Sequence, residues 1–164
     1  MSRSRLDDIT NLILCVTCVV VVALLGYRTL TERDTTARLP PTYANGDVMP
    51  AINGVDYSVS DKTLLVMVSS TCRYCTESMP FYSQLAKISQ TGRFQIVMAG
   101  YESVESLKSY ASAHGVVIDR IVSVPAEVRI GATPTLLLID RSGRVASSWL
   151  GALRGREKDV IARL

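Results

Sequence analysis

The sequence predicts an α/β domain with a mixed central sheet flanked by helices, preceded by one N-terminal transmembrane helix. Three observations lead to this prediction. Residues 9–27 carry no charged side chain, short apolar runs alternate with amphipathic segments from residue 64 onward, and a turn sequence joins the last two runs. Alternating strands and helices form parallel units, whereas strands joined by a tight turn pair antiparallel, so the sheet is mixed.

Length and composition fit one folded domain behind a membrane segment. The chain has 164 residues, of which 48% are hydrophobic, and a formal net charge of +3. We expect a membrane anchor over 1–30, a polar linker with two prolines over 31–46, and a folded domain over 47–164. The charge is small and scattered, so it predicts no nucleic-acid partner.

The apolar segment 9–27 is long enough to cross a membrane. At about 1.5 Å per residue, a helix of this length approaches the ~30 Å hydrocarbon core of a bilayer. A cleaved signal peptide is the alternative, but its apolar core would be long and no small-residue cleavage pattern follows Leu25. Arginines lie on both sides of the segment, so the positive-inside rule does not decide its orientation. We expect an uncleaved anchor that delivers the C-terminal domain across the membrane.

Five apolar runs of strand length predict the sheet. The first is apolar throughout, as expected for a central strand buried on both faces. A turn sequence at 140–143 joins the last two strands, and Asn53-Gly54 predicts a further short hairpin near the start of the domain. The predicted strands are 64–68, 94–99, 121–123, 135–139 and 145–150.

Three helices are predicted around these strands. The first follows strand 64–68 and continues to about Gln90, with Pro80 as a kink. The second is capped by Ser103 and ends near Gly115, and the third begins near Arg156.

The motif Cys72-Arg73-Tyr74-Cys75 lies where the first strand ends and the first helix begins. There the Cys72 sulfur faces the unpaired N–H groups of the helix start, and Arg73 adds a positive charge, so we expect a lowered thiol pKa. Cys75 lies one turn further into the helix and is more buried. The motif therefore predicts a redox-active disulfide, with Cys72 as the nucleophile and Cys75 as the resolving thiol.

Metal binding is the main alternative for such a pair. The other cysteines, Cys15 and Cys18, lie inside the apolar segment, and His114 is the only histidine. Half of a zinc site is therefore missing, and we expect no metal and no cofactor beyond the disulfide itself. Cys15 and Cys18 share a helix face, which packing within a membrane explains more simply than a second redox site.

Thr133-Pro134 supplies a second element of the predicted site. An X-Pro bond is the only common place for a cis peptide, and a cis proline opposite the cysteines would leave the Thr133 backbone free to pair with an extended substrate. The alternative is an ordinary proline at a strand start, and the cysteine motif favours the cis interpretation. We expect Thr133 and Pro134, together with Arg73 and Tyr74, to contact the substrate.

Taken together, these motifs resemble the membrane-anchored TlpA/ResA-like branch of the thioredoxin superfamily. The resemblance implies a thioredoxin-like fold and a thiol-disulfide oxidoreductase, usually a reductase, in the periplasm and anchored to the bacterial inner membrane. Its partners would be exported proteins with cysteine pairs and a membrane thiol reductant. Some members serve cytochrome c maturation, and a related group serves maturation of methylamine dehydrogenase. The residues that carry the resemblance are Gly46-Asp47-Val48-Met49-Pro50, the strand 64–68, Cys72-Arg73-Tyr74-Cys75, Pro80, Gly131-Ala132-Thr133-Pro134-Thr135, Leu138-Ile139-Asp140-Arg141-Ser142-Gly143 and Gly151.

Several positions depart from the family pattern. Ser69-Ser70-Thr71 stands where an aromatic residue usually precedes the first cysteine, and Tyr74 replaces a common proline. Ser78 occupies the position of a carboxylate in the cytochrome-maturation members, and Val66 that of the buried acid of thioredoxin. These departures leave the substrate and the redox potential open. A metallochaperone and a non-catalytic anchored binding module remain alternatives, although the CxxC spacing and the distant His114 count against the former.

Overall fold

The computed structural model describes residues 13–24, 42–118 and 120–164. The chain divides into two units, Met1–Leu39 and Pro40–Leu164, which are described separately. In the first unit residues 13–24 form a helix, α1, and the rest of the predicted span lies outside the described residues. In the part of the chain that is described, no helix combines the length and the hydropathy needed to cross a membrane.

The second unit is built on a five-stranded mixed sheet, as the sequence predicts. Its strands are β1 (Lys62–Met67), β2 (Gln95–Gly100), β3 (Ile121–Ser123), β4 (Thr135–Asp140) and β5 (Val145–Leu150). Their order across the sheet is β3-β2-β1-β4-β5. The central strand β1 pairs parallel with β2 and antiparallel with β4, while β3 and β5 form the edges.

Four helices accompany the sheet, one more than predicted. They are α2 (Arg73–Glu77), α3 (Met79–Ser89), α4 (Val104–Ala113) and α5 (Glu157–Arg163). The predicted single helix with a kink at Pro80 is wrong, because the helix breaks at Ser78 and Pro80 lies in the first turn of α3. Proline fits there since the first turn of a helix needs no N–H donor. The cap of α4 is confirmed: the Ser103 hydroxyl accepts a hydrogen bond from the Ser106 N–H at 3.2 Å.

The predicted hairpin around Asn53-Gly54 is wrong. Gly54 does have the positive φ of a turn residue, 82°, but no pair of strands flanks it. The residues before the turn, Met49 and Ile52, both point into the core instead of alternating between core and solvent. A short 3-10 helix, Tyr57–Val59, follows the turn and leads into β1.

The continuous apolar character of β1 is explained by burial on both faces. Leu64 and Val66 belong to one hydrophobic cluster, which also contains Cys75 of α2. Leu65 and Met67 belong to a second cluster on the other face. The strand is thus fixed from both sides, and it ends at Met67, a few residues before the cysteine motif.

The ends of β1 and β2 approach each other closely beside this motif. A Cβ atom on Gly100 would lie 2.7 Å from the Val68 carbonyl oxygen, so only glycine fits this position without a shift. The N–H of Val68 donates to the Ala99 carbonyl at 2.8 Å. This approach brings the segment that follows β2 next to the segment that precedes Cys72.

Candidate active site

Cys72 is the N-cap residue of α2. Its backbone is extended, with φ −85° and ψ 108°, and its sulfur accepts a hydrogen bond from the Cys75 N–H. The donor-to-sulfur distance is 3.2 Å. The sulfur therefore takes the place that a serine, threonine or aspartate oxygen occupies at most helix starts. It accepts a hydrogen bond from one of the N–H groups of the first turn.

The loop with Thr133 and Pro134 lies opposite this sulfur. The Thr133-Pro134 peptide bond is cis, so the cis interpretation of the sequence is confirmed. In the thiol form Cys72 donates to the Thr133 carbonyl oxygen at 3.3 Å. Among the described residues the Thr133 N–H has no hydrogen-bond partner, which leaves it available to an added strand.

The two cysteines differ strongly in their surroundings. Both are free thiols; Cys72 is partly exposed, whereas Cys75 has 0% relative exposure. Burial and the hydrogen bond with the Cys72 side chain raise the pKa of Cys75 to about 12. Burial opposes ionisation of Cys72 too, but hydrogen bonds from the Cys75 and Thr133 side chains and from the Cys75 and Tyr74 N–H groups outweigh it, so the pKa of Cys72 is lowered. At neutral pH the pair has one reactive and one protected sulfur.

Arg73 does not contribute to this asymmetry as predicted from the sequence. Its guanidinium pairs with the Glu77 carboxylate at 2.8 Å, and its side chain is 86% exposed. The lowered pKa of Cys72 has hydrogen bonds as its causes, not the charge of Arg73. A solvated cation already paired with an acid has little effect on a neighbouring thiol.

Tyr74 lies at the surface beside the cysteines, with 48% relative exposure. The guanidinium carbon of Arg154, in the loop after β5, is 5.7 Å from the centre of the Tyr74 ring. Sequence reasoning missed Arg154, because no motif marks it. Its one distinguishing feature is structural: it has a positive φ of 28°.

Two buried phenols lie behind the dithiol in the first hydrophobic cluster, and sequence reasoning missed both. Tyr82 of α3 has 0% relative exposure, and its hydroxyl has no hydrogen-bond partner among the described residues. Burial raises the pKa of Tyr82, and the two nearby cysteines contribute to the shift. The Tyr110 hydroxyl of α4 lies 3.0 Å from the Thr76 hydroxyl of α2, so one polar contact joins the two helices.

A tyrosine after β2 fixes the approach to the cis proline. The Tyr101 hydroxyl donates to the Val128 carbonyl, and it accepts from the Ile130 N–H at 3.1 Å. Both partners lie shortly before the loop that ends at Pro134. Sequence reasoning did not single out Tyr101, whose hydroxyl holds the segment that leads to Thr133.

Within residues 13–24, 42–118 and 120–164, no group of three His, Cys, Asp or Glu side chains could hold a metal ion. His114 is the C-cap residue of α4, and its ring Nδ1 lies 2.8 Å from the Tyr110 carbonyl oxygen.

Solved structures with the same fold come from several bacteria. A protein from Chlorobium tepidum, described as thiol:disulfide interchange protein DsbE, aligns with a TM-score of 0.58 and 22% identity, over 74% of this chain and 96% of its own. The thioredoxin domain of a thiol-disulfide oxidoreductase from Bacteroides vulgatus aligns at 0.61 with 17% identity, over 74% and 98%. A thiol-disulfide isomerase from Corynebacterium glutamicum aligns at 0.53 with 16% identity, over 73% and 92%. At these identities the likeness establishes the thioredoxin-like fold, and the chemistry must be argued from the site.

No family model matches the chain, and no curated protein matches it by sequence.

The difference between the two thiols predicts selective alkylation. In the reduced full-length protein we expect iodoacetamide at pH 7 to modify Cys72 and leave Cys75 unmodified, because only the first has a lowered pKa. The rate at Cys72 should rise with pH to a plateau, with a midpoint below that of free N-acetylcysteine measured in parallel. Peptide mass spectrometry gives the rate for each cysteine separately.

The matched control is a Cys72→Ser variant, in which Cys75 should stay unmodified until strongly alkaline pH. Faster labelling of Cys75 than of Cys72 in the unsubstituted protein would contradict the assignment of nucleophile and resolving thiol.

Proposed function

We propose that this protein is a membrane-tethered thiol-disulfide oxidoreductase that reduces disulfides of exported proteins. One observation carries the proposal: the partly exposed thiol of Cys72, with its lowered pKa, lies 3.3 Å from the carbonyl oxygen of Thr133, beside the cis-proline loop, and next to the buried thiol of Cys75. A nucleophilic sulfur, a resolving sulfur and a peptide-binding edge are the components that dithiol exchange with a protein substrate needs.

The reaction consists of two exchanges. The Cys72 thiolate attacks one sulfur of the client disulfide, so a Cys72–client bond forms and the client S–S bond breaks, releasing one client thiolate that takes up a proton. Cys75 then loses its proton and attacks the Cys72 sulfur. This step forms the Cys72–Cys75 disulfide and releases the second client thiolate. Two electrons pass to the client, and a membrane thiol reductant must return the pair to the dithiol.

The surface around Cys72 supports a protein client in extended form. The N–H of Thr133, which has no hydrogen-bond partner among the described residues, offers a donor to a strand laid beside the cis-proline loop, as in other cases of strand addition. Tyr74, which lies between the two cysteines in the sequence, offers a half-exposed aromatic ring, with the Arg154 guanidinium over it. Backbone pairing is insensitive to side chains, so selectivity among clients would come from this aromatic face.

The resemblance to the TlpA/ResA-like branch supports maturation of cytochrome c or of methylamine dehydrogenase as the pathway. Ser78 stands where the cytochrome-maturation members have a carboxylate, so the resemblance to those members does not extend to this position. In the structure the Ser78 hydroxyl donates to the Tyr74 carbonyl at 2.8 Å, which closes the end of α2.

Replacing the resolving cysteine should trap clients. In cells that express a Cys75→Ala variant, we expect mixed disulfides through Cys72 to accumulate, because the second exchange can no longer release the client. Non-reducing gels followed by mass spectrometry should identify the mixed disulfides, and dithiothreitol should reduce them and release the clients.

Two controls make the trap specific. A Cys72→Ala, Cys75→Ala double variant should trap nothing, and Cys15→Ser with Cys18→Ser in the Cys75→Ala background should leave the trapped species unchanged. Adducts that vanish in the second control would arise from α1 and would count against the proposed function.

The reduction potential of the pair tests the direction of electron flow. For a reductase we expect a value near that of thioredoxin, about −270 mV, measured against glutathione or dithiothreitol buffers. A value near the ~−120 mV of strong oxidants would instead indicate a disulfide donor. A value far below about −300 mV would favour the binding module with a structural disulfide.

The proposed location is the bacterial inner membrane, with one span over 9–27 and the folded domain in the periplasm. We expect the full-length chain to fractionate with membranes and to require detergent for release, and a variant without residues 1–30 to be absent from the membrane fraction. Protease added to spheroplasts should digest the folded domain. If expression of the full-length chain instead gives a shortened protein that is soluble in the periplasm, the segment is a cleaved signal.

A further inference from the structure

The segment between β1 and Cys72 is fixed by a carboxylate from outside the cysteine motif. Glu102 follows β2 and lies just before α4. Its Oε1 accepts hydrogen bonds from the Ser69 hydroxyl and from the Ser70 N–H, both at 2.8 Å. Its Oε2 accepts from the Ser106 hydroxyl of α4 at 3.2 Å. One side chain thus ties the segment before Cys72 to the first turn of α4.

The contacts continue from this segment to the nucleophile itself. The Ser69 carbonyl accepts a hydrogen bond from the Cys72 N–H at 3.1 Å. The Ser69 and Thr71 hydroxyls lie 3.1 Å apart, which closes the turn between them. Because Cys72 is held through Ser69, and Ser69 through Glu102, the carboxylate fixes the backbone from which the reactive sulfur projects.

Glu102 is suited to this task because it stays ionised. Burial raises its pKa, but hydrogen bonds from the Ser70, Ser69 and Ser106 groups outweigh burial and lower it. Hydrogen bonds to a charged acceptor are shorter and stronger than those between neutral groups. The carboxylate therefore holds the turn firmly at neutral pH.

Helix α4 makes a second contact on the other side of Cys72. The Tyr110 hydroxyl lies 3.0 Å from the Thr76 hydroxyl, and the Thr76 N–H donates to the Cys72 carbonyl at 3.1 Å. The chain is therefore held before the nucleophile by Glu102 and after it by Tyr110.

We propose that Glu102 is a positioning residue that sets the reactivity of Cys72 by fixing the Ser69-Ser70-Thr71 turn in front of it. Among the described residues, the hydrogen bonds of the carboxylate go to Ser69, Ser70 and Ser106 and not to either sulfur. The carboxylate acts by keeping the Cys72 sulfur in line with the Cys75 N–H, whose hydrogen bond favours the thiolate. The serines that stand where the resembling family has an aromatic residue are the partners that this carboxylate requires. The inference deepens the proposed function, since it concerns the nucleophile of that same site.

The test compares alkylation of Cys72 in Glu102→Ala, Glu102→Gln and Glu105→Gln variants of the full-length protein. For Glu102→Ala we expect the rate at pH 7 to fall about tenfold, as for loss of charge-assisted hydrogen bonds, with the midpoint of the pH profile moved upward. Glu102→Gln keeps an acceptor for Ser69 and Ser70, so it should recover part of the rate. Glu105 lies in the first turn of α4, and among the described residues no hydrogen bond joins it to the Ser69-Ser70-Thr71 turn, so Glu105→Gln should behave as the unsubstituted protein.

Unfolding temperatures of the same variants separate positioning from mere stability. A Glu102→Ala protein that is less stable but keeps the original rate and pH profile would overturn the proposal. If Glu102→Ala does not fold, Ser69→Ala tests the same connection, with an expected fall of about threefold for loss of one hydrogen bond. An unchanged profile in both Ser69→Ala and Glu102→Gln would likewise overturn it. Alkylation needs no client, so failure of the client trap leaves this result unaffected.

Discussion

The chemistry of the site depends on the position of Cys72 at the start of α2, where its sulfur accepts hydrogen bonds from the Cys75 side chain and from the Cys75 N–H. The second of these hydrogen bonds is set by the backbone. It exists because Cys72 is extended while the residues after it are helical, so the sulfur lies over the free N–H groups of the helix start. The buried strand β1 and its pairing with β2 determine where the backbone changes from extended to helical. The same short helix places Cys75 in the core. One local geometry therefore gives one sulfur a lowered pKa and the other a raised pKa.

The parts of the structure that depend on local patterns could be predicted from the sequence. The positions of the five strands along the chain, the cap at Ser103, and the greater burial of Cys75 than of Cys72 follow from apolar spacing and capping chemistry. The prediction of a hairpin at Asn53-Gly54 was wrong because a turn sequence does not show whether the residues on its two sides pair as strands or pack into the core. The prediction of a single helix through Pro80 was wrong because proline is compatible both with a kink and with the first turn of a new helix, and the sequence does not distinguish the two.

The parts that depend on contacts between distant segments could not be predicted. Glu102 and Tyr101 look like ordinary loop residues in the sequence, yet one holds the turn before Cys72 and the other the segment before Pro134. Both follow β2, which lies beside β1 in the sheet, so the parallel pairing of these strands places both supports at the dithiol. Arg73 shows the opposite case: proximity in sequence suggested an electrostatic role that its pairing with Glu77 removes.

In the proposed reaction, the high pKa of Cys75 orders the two exchanges in time. Burial is its largest cause, but the hydrogen bond with the Cys72 side chain and the charge of Cys72 also raise it. When Cys72 forms a mixed disulfide, its negative charge disappears, so those contributions end at the moment when Cys75 must ionise. Val66 and Tyr82 offer no resident base nearby, since one is apolar and the other has a raised pKa of its own. In the proposed reaction the first exchange itself therefore eases ionisation of the resolving thiol, and burial keeps Cys75 protonated until then.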